Sequence, residues 1–265
     1  MNFEDGVNSV CRLSRRGIVQ FRMATAPLTV ILMPGMDGSG DLFTEFIAAL
    51  PAEYQTQTAQ YPSDRELSYA ELEPLVRGFL PEDAPFILVA ESYSSPLAIR
   101  IAASHPNGLV AVVLCAGFAT SPLKGLLHDL TGMLPLRALR PVFPSFVTRL
   151  LLLGNDAPDA LVTAVAAEID WVEPAVLAAR VREVLMVDVR AELAEIDVPI
   201  QYLRAAKDKL VAVECMEEIV TIQPSTAVAT IDAPHLLLQC EPQICARVIA
   251  EFVHMLQSGE GIEHG

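Results

Sequence analysis

Three residues far apart in the chain, Ser92, Asp208 and His235, are of the types that nucleophilic acyl chemistry uses. A serine hydroxyl is a weak nucleophile until a base takes its proton. An imidazole base in turn needs a carboxylate to hold its tautomer and to stabilise the imidazolium that forms. Of the five histidines, His264 lies in a polar C-terminal stretch and His254 late in the last helical pattern. His105 ends a helix on the side away from the strand ends, and His128 stands among helical patterns. Only His235 follows directly on an apolar strand pattern. Asp208 is placed in the same way one strand earlier, so the order along the chain is Ser, Asp, His, each on a loop that leaves a strand.

A fourth stretch supplies the means to hold a developing oxyanion. Pro34-Gly35-Met36-Asp37-Gly38-Ser39-Gly40 follows the apolar run 29–33, and glycine lets the backbone come close to a substrate. Two preorganised N–H groups are needed, and the candidates are Tyr93, which follows the serine, and Met36, which follows Gly35. Asp37 is expected to point away and either cap the next helix or brace the turn at Gly38–Gly40. A phosphate-cradling P-loop is excluded, because the stretch has no lysine and no G-x-x-x-x-G-K-[ST] pattern.

The elements that must position these groups can be read from periodicity. Residues 86–89 (Phe-Ile-Leu-Val) form a short buried strand pattern, residues 90–94 an abrupt turn, and 97–103 a helical pattern. A serine at such a turn is pushed out of the sheet edge, and only small residues fit two positions on either side; Ala90 and Ser94 stand there. Glu91 is expected to turn back beneath the turn and bond buried backbone or a neighbouring polar group, and Ser94 and Ser95 fall in the helix, which makes them poor rivals as nucleophile. Further strands are expected at 29–33, 55–61, 109–115, 199–204 and 226–231. Helices are expected after the glycine loop, from a capping box at Ser68-Tyr69-Ala70-Glu71 to before Pro81, at 213–220 and at 242–256. Residues 18–22 read as an edge strand and the rest of 1–26 as a loose arm. The fold class is α/β, a mostly parallel central sheet with helices on both faces. Right-handed crossovers then bring the serine turn and the glycine loop to one edge of the sheet.

Between 119 and 196 the strand signals vanish, and leucine, alanine and arginine recur at helical spacing between prolines. The expected organisation is a core of 1–118 and 197–265 with a helical cap of 119–196 inserted above the site. Leu130, Met133, Leu134, Phe143 and Phe146 are the candidates for lining an apolar substrate pocket. Exposed leucines on such a cap would permit a homodimer as readily as a lipid-facing surface.

A formal net charge of −15 and the lack of any basic stripe argue against nucleic acid and against docking on anionic lipid. No apolar run is long enough for a membrane span: the richest, 130–153, is broken by prolines and by Arg137, Arg140 and Arg149. The first 23 residues lack the apolar core of a signal peptide. The cysteines, Cys11, Cys115, Cys215, Cys240 and Cys245, are odd in number and without metal-ligand spacing, as expected of thiols in a reducing compartment. A cytoplasmic protein is the expectation.

With these residues placed, the sequence resembles the α/β-hydrolase superfamily from about Thr29 to Leu256. The resemblance rests on the 34–40 loop, on Ala90-Glu91-Ser92-Tyr93-Ser94 (a G-x-S-x-G elbow with both glycines replaced), on Asp208 in Lys-Asp-Lys-Leu-Val and on His235 in Ala-Pro-His-Leu-Leu-Leu. The Pro-Gly-x-Asp-Gly loop is similar to that of a subgroup of bacterial hydrolases and of hydrolase-type acyltransferases of plastids. The resemblance implies a Ser-His-Asp acyl-transfer enzyme that needs no cofactor. The expected activity is hydrolysis of carboxylic esters, small molecules with apolar acyl chains; an acyltransferase or acyl-thioesterase on the same triad is the alternative.

Overall fold

The computed structural model describes residues 7–10, 27–122 and 149–258. The chain builds β1 (Val7–Val10), β2 (Thr29–Met33), α1 (Thr44–Ala49), β3 (Gln55–Thr58), α2 (Tyr69–Arg77), β4 (Phe86–Glu91), α3 (Ser95–Ala103) and β5 (Leu109–Cys115). After a π-helical turn at Arg149–Leu153 come α4 (Asp159–Trp171), α5 (Pro174–Met186), α6 (Arg190–Ala194), β6 (Ile200–Ala205), α7 (Val213–Ile222), β7 (Ala227–Ile231), α8 (Leu237–Cys240) and α9 (Pro242–Ser258).

The strands form one sheet in the order β1-β7-β6-β5-β4-β2-β3, parallel except for β1. Every residue of β2, β4 and β5 is buried, which explains why these three read as unbroken apolar runs: both of their faces are covered. At the edge, β3 alternates exposed and half-buried residues. On one face, Ile31, Leu88 and Leu114 pack against α2, α3, α6 and α7. On the other, Val30, Val89 and Val113 pack against α9. The capping box at the start of α2 forms as the sequence predicts, with the Ser68 N–H donating to the Glu71 carboxylate at 2.8 Å.

The antiparallel edge strand is Val7–Val10, in the stretch read as a loose arm; the 18–22 strand lies outside the described residues. Val7–Val10 covers the open edge of β7. Its four residues carry no periodic signal, because the pairing that makes them a strand is with residues at the far end of the chain, Val228 to Ile231. The 119–196 stretch starts and returns at one place: Thr120 bridges Asp188, and the Val189 N–H donates to the Ala119 carbonyl at 2.9 Å. Beyond that closure Leu193 and Ile196 pack in the layer of α3. Among the described residues no helix is long and apolar enough to cross a membrane. Cys115, Cys215 and Cys245 are buried and Cys240 is half-buried.

The chain runs from β2 outward to β3, then returns to place β4 on the other side of β2. This reversal opens a crevice at the C-terminal ends of β2 and β4, where Met33 and Ala90 are paired. The glycine loop leaves one of these strands and the Ser92 turn leaves the other.

Candidate active site

Ser92 takes a backbone φ of 47°, in the left-handed region that side chains other than glycine seldom adopt. Such a conformation costs about 1–3 kcal/mol and persists only where the surroundings enforce it. Here β4 is clamped between β2 and β5 on one side of the turn. On the other, a single 3-10 turn (Ser92–Ser94) leads into α3, whose Pro96 is preset for a first helical turn. The two rival serines are fully buried.

His235 reaches Ser92 from the loop after β7, with Nε2 2.9 Å from Ser92 Oγ. Its Nδ1 lies 2.8 Å from Asp208 Oδ2. The other carboxylate oxygen, Oδ1, accepts the N–H groups of Leu210 at 2.8 Å and Val211 at 3.0 Å. A carboxylate held in this way only accepts, so Nδ1 of His235 carries the proton and Nε2 presents its lone pair to the serine hydroxyl. The spacing of the two loops is set by the sheet itself. The β6–β7 ladder continues past the strands, with the Ala206 N–H on the Ile231 carbonyl and the Lys207 N–H on the Ala233 carbonyl. The His235 and Asp208 side chains are 4% and 5% exposed, a dry setting in which their hydrogen bond gains strength.

The glycine loop faces this constellation. Gly35 accepts the N–H of Gly38 at 3.2 Å, closing a turn around Met36 and Asp37. The Asp37 carboxylate accepts the N–H of Ser39 at 3.1 Å and its hydroxyl at 3.0 Å, bracing the turn rather than capping the helix. Among the described residues no hydrogen bond takes the N–H of Met36 or of Tyr93, so both proposed oxyanion donors are unengaged.

Several groups that hold the site together gave no signal in the sequence. Ser94, read as a tolerated small residue and a poor rival nucleophile, donates to the Pro34 carbonyl and lies 2.5 Å from the Tyr61 hydroxyl. It ties the serine turn to the start of the glycine loop. Tyr69 donates to the Tyr93 carbonyl at 2.8 Å and its ring stacks on that of Tyr93, with centroids 4.9 Å apart. Arg180 of α5 lies against the loop from the other side, 2% exposed.

Glu91 turns back beneath the serine as expected and accepts from Gln239 Nε2 at 3.1 Å. Burial above all, and the neighbouring Asp37 carboxylate, push its pKa up to about 8, while the Gln239 hydrogen bond opposes them. At pH 7 Glu91 is therefore mostly uncharged, so it adds little negative charge beneath the serine.

Leu130, Met133, Leu134, Phe143 and Phe146, the expected pocket residues, lie outside the described residues. What the 149–186 stretch contributes is contact on two sides of the site. Leu153, Val162 and Val165 pack on Leu236, next to the histidine, and Val172, Val176 and Leu177 pack on Met36. Among the described residues no group of three or more His, Cys, Asp or Glu side chains is placed to hold a metal ion.

No family model matches the sequence, and no curated protein matches it either. Solved structures do match in shape. A hydrolase from Oleispira antarctica superposes with a TM-score of 0.75 at 14% identity, over 88% of this chain and 93% of the other. An esterase from a Rhodococcus species gives 0.70 at 15%, over 88% and 93%. An enol-lactonase from Burkholderia xenovorans gives 0.69 at 15%, over 94% and 96%. At such identities the likeness lies in strand order and helix placement, which is what the parallel sheet, its reversal at β2 and β4 and the covering helices independently describe. The chain has the α/β-hydrolase fold.

Proposed function

We propose that the protein is a serine hydrolase that cleaves carboxylic esters through Ser92, His235 and Asp208. The observation that carries this reading is the continuous hydrogen-bonded path from the Asp208 carboxylate through His235 to the hydroxyl of a serine held at positive φ, at 2.8 and 2.9 Å. The names of several neighbours in shape, hydrolase, esterase and lipase, accord with it.

In the reaction His235 Nε2 takes the hydroxyl proton as Ser92 Oγ bonds to the acyl carbon. The carbonyl oxygen becomes an oxyanion and is held by the N–H groups of Met36 and Tyr93, each such donor being worth roughly 10²–10³ in rate. His235 then passes its proton to the departing alcohol, leaving an acyl-serine. A water molecule, deprotonated by the same imidazole, attacks the acyl carbon and releases the carboxylic acid and the free serine. Asp208 keeps the imidazole turned and stabilises its charged form throughout.

The cap assigned to 119–196 would cover this edge of the sheet, and the apolar side chains of 126–146 make an apolar acyl chain the proposed substrate part. The test is hydrolysis of p-nitrophenyl esters of graded chain length, with Ser92→Ala as control. Turnover that depends on Ser92 and passes through an optimum of chain length is expected. Equal rates for the two proteins at every length would overturn the reading. Acceleration by added alcohol would redirect it to acyl transfer, and preference for thioesters to a thioesterase.

A further inference from the structure

A buried guanidinium loses several kcal/mol of hydration unless hydrogen bonds replace it. Arg180 is almost completely buried, and among the described residues it forms no ion pair with a carboxylate. What it has instead are backbone carbonyls. Nη1 donates to Met36 at 2.6 Å and to Asp37 at 2.9 Å, and Nη2 donates to Pro62 at 2.9 Å. The guanidinium carbon stands 5.9 Å from the centre of the Tyr61 ring. A cation that exchanges water for three main-chain carbonyls fixes the path of that main chain.

Two of those carbonyls belong to the turn that carries the Met36 N–H. Peptide groups are planar, so holding the Met36 carbonyl fixes the plane that follows Met36. The plane that precedes it is fixed by the Gly35 carbonyl, which accepts from Gly38. Met36 is thus held from both sides, and its N–H has one direction open to it. Gly38 is matched to this arrangement. A Cβ there would stand 2.9 Å from Arg180 Nη1 and 3.0 Å from Nη2, and its φ is +72°.

We propose that Arg180 is a positioning residue for the oxyanion hole, holding the Met36–Asp37 turn from α5 so that the Met36 N–H is aimed at the reacting carbonyl. Oxyanion stabilisation then requires α5 to be docked on the loop, which ties catalysis to the placement of that helix. This inference rests on the serine-hydrolase reading.

The test uses Arg180→Met, which removes every donor, and Arg180→Lys, which keeps the charge but cannot span three carbonyls. Each is compared with wild type for kcat and KM on the best p-nitrophenyl ester. Affinity is measured for two probes of the same skeleton: a trifluoromethyl ketone, which forms a tetrahedral anion on the serine, and the matching secondary alcohol, which does not. Arg180→Met is expected to lose about 10²-fold in kcat, the scale of one oxyanion donor, with KM little changed. Ketone affinity should fall by a similar factor while alcohol affinity holds, and Arg180→Lys should lie between. If kcat per folded protein and ketone affinity are unchanged, or if ketone and alcohol weaken together, the role is overturned. Should Arg180→Met not fold, the ketone-to-alcohol ratio of Arg180→Lys decides alone. A wild-type protein that forms no Ser92-dependent ketone adduct overturns the hydrolase reading and this role with it; a reactive wild type with unaffected variants overturns only the role of Arg180.

Discussion

Replacing Glu91 by glutamine keeps the shape of the side chain and removes its ionisation, and the structure says how stability should respond. In the folded protein burial and the Asp37 carboxylate raise this acid from an ordinary 4.5 to about 8. The unfolded chain gives up the proton near the ordinary value, whereas the native protein holds it until about pH 8. Stability associated with the neutral acid is thus fully present below the unfolded pKa and is lost as pH rises through the folded one. At about 1.36 kcal/mol for each pH unit between the two ionisations, the loss amounts to about 5 kcal/mol. Glu91→Gln keeps a side-chain oxygen that can accept from Gln239 Nε2. Urea unfolding of wild type and Glu91→Gln at about pH 5 and about pH 8 measures the effect, read from midpoints at constant m-value. The variant should gain on wild type steadily between the two. A stability difference that does not change with pH would refute the placement of a neutral acid beneath the serine.

Other outcomes follow from the same contacts. Asp208→Asn should lower kcat by about 10⁴, the scale of losing the carboxylate that sets the tautomer, with KM little changed; steady-state kinetics that match wild type would contradict the role given to it. Ser94→Gly restores the glycine of the common elbow but leaves the Pro34 carbonyl and the Tyr61 hydroxyl without their link. It should destabilise by about 1–3 kcal/mol in chemical denaturation and lower kcat as well. Gly38→Ala forces a side chain into a positive-φ turn against Arg180 and Tyr61. A stability loss of about 1–3 kcal/mol is expected by thermal or urea unfolding, and a neutral result would show that the turn relaxes.

What could be read from the sequence was what depends on neighbours in the chain. The buried strands, the capping box at Ser68 and the turn at Ser92 are local patterns, and topology then carries Asp208 and His235 to the edge where Ser92 emerges. That reasoning needed only strand order and the rule that loops leaving parallel strands share one side. Contacts between distant segments were invisible. Arg180 lies among alanine, valine and leucine on a helix, with nothing local to single it out; its partners are 118 to 144 positions away. Ser94 reads as a small residue because only the folded chain brings Pro34 and Tyr61 to its hydroxyl. The edge strand Val7–Val10 had no local signature because its partner is β7. Glu91 was legible as a buried group in need of a partner, but Gln239, 148 positions on, was not.

The covalent step is what the proposed chemistry stands on. Incubation with a fluorophosphonate probe, followed by intact-protein and peptide mass spectrometry, reads it directly. The expected result is a single adduct on Ser92, absent in Ser92→Ala and strongly slowed in His235→Ala. An unmodified Ser92, or labelling at Ser94, Ser95 or a cysteine in its place, would contradict it.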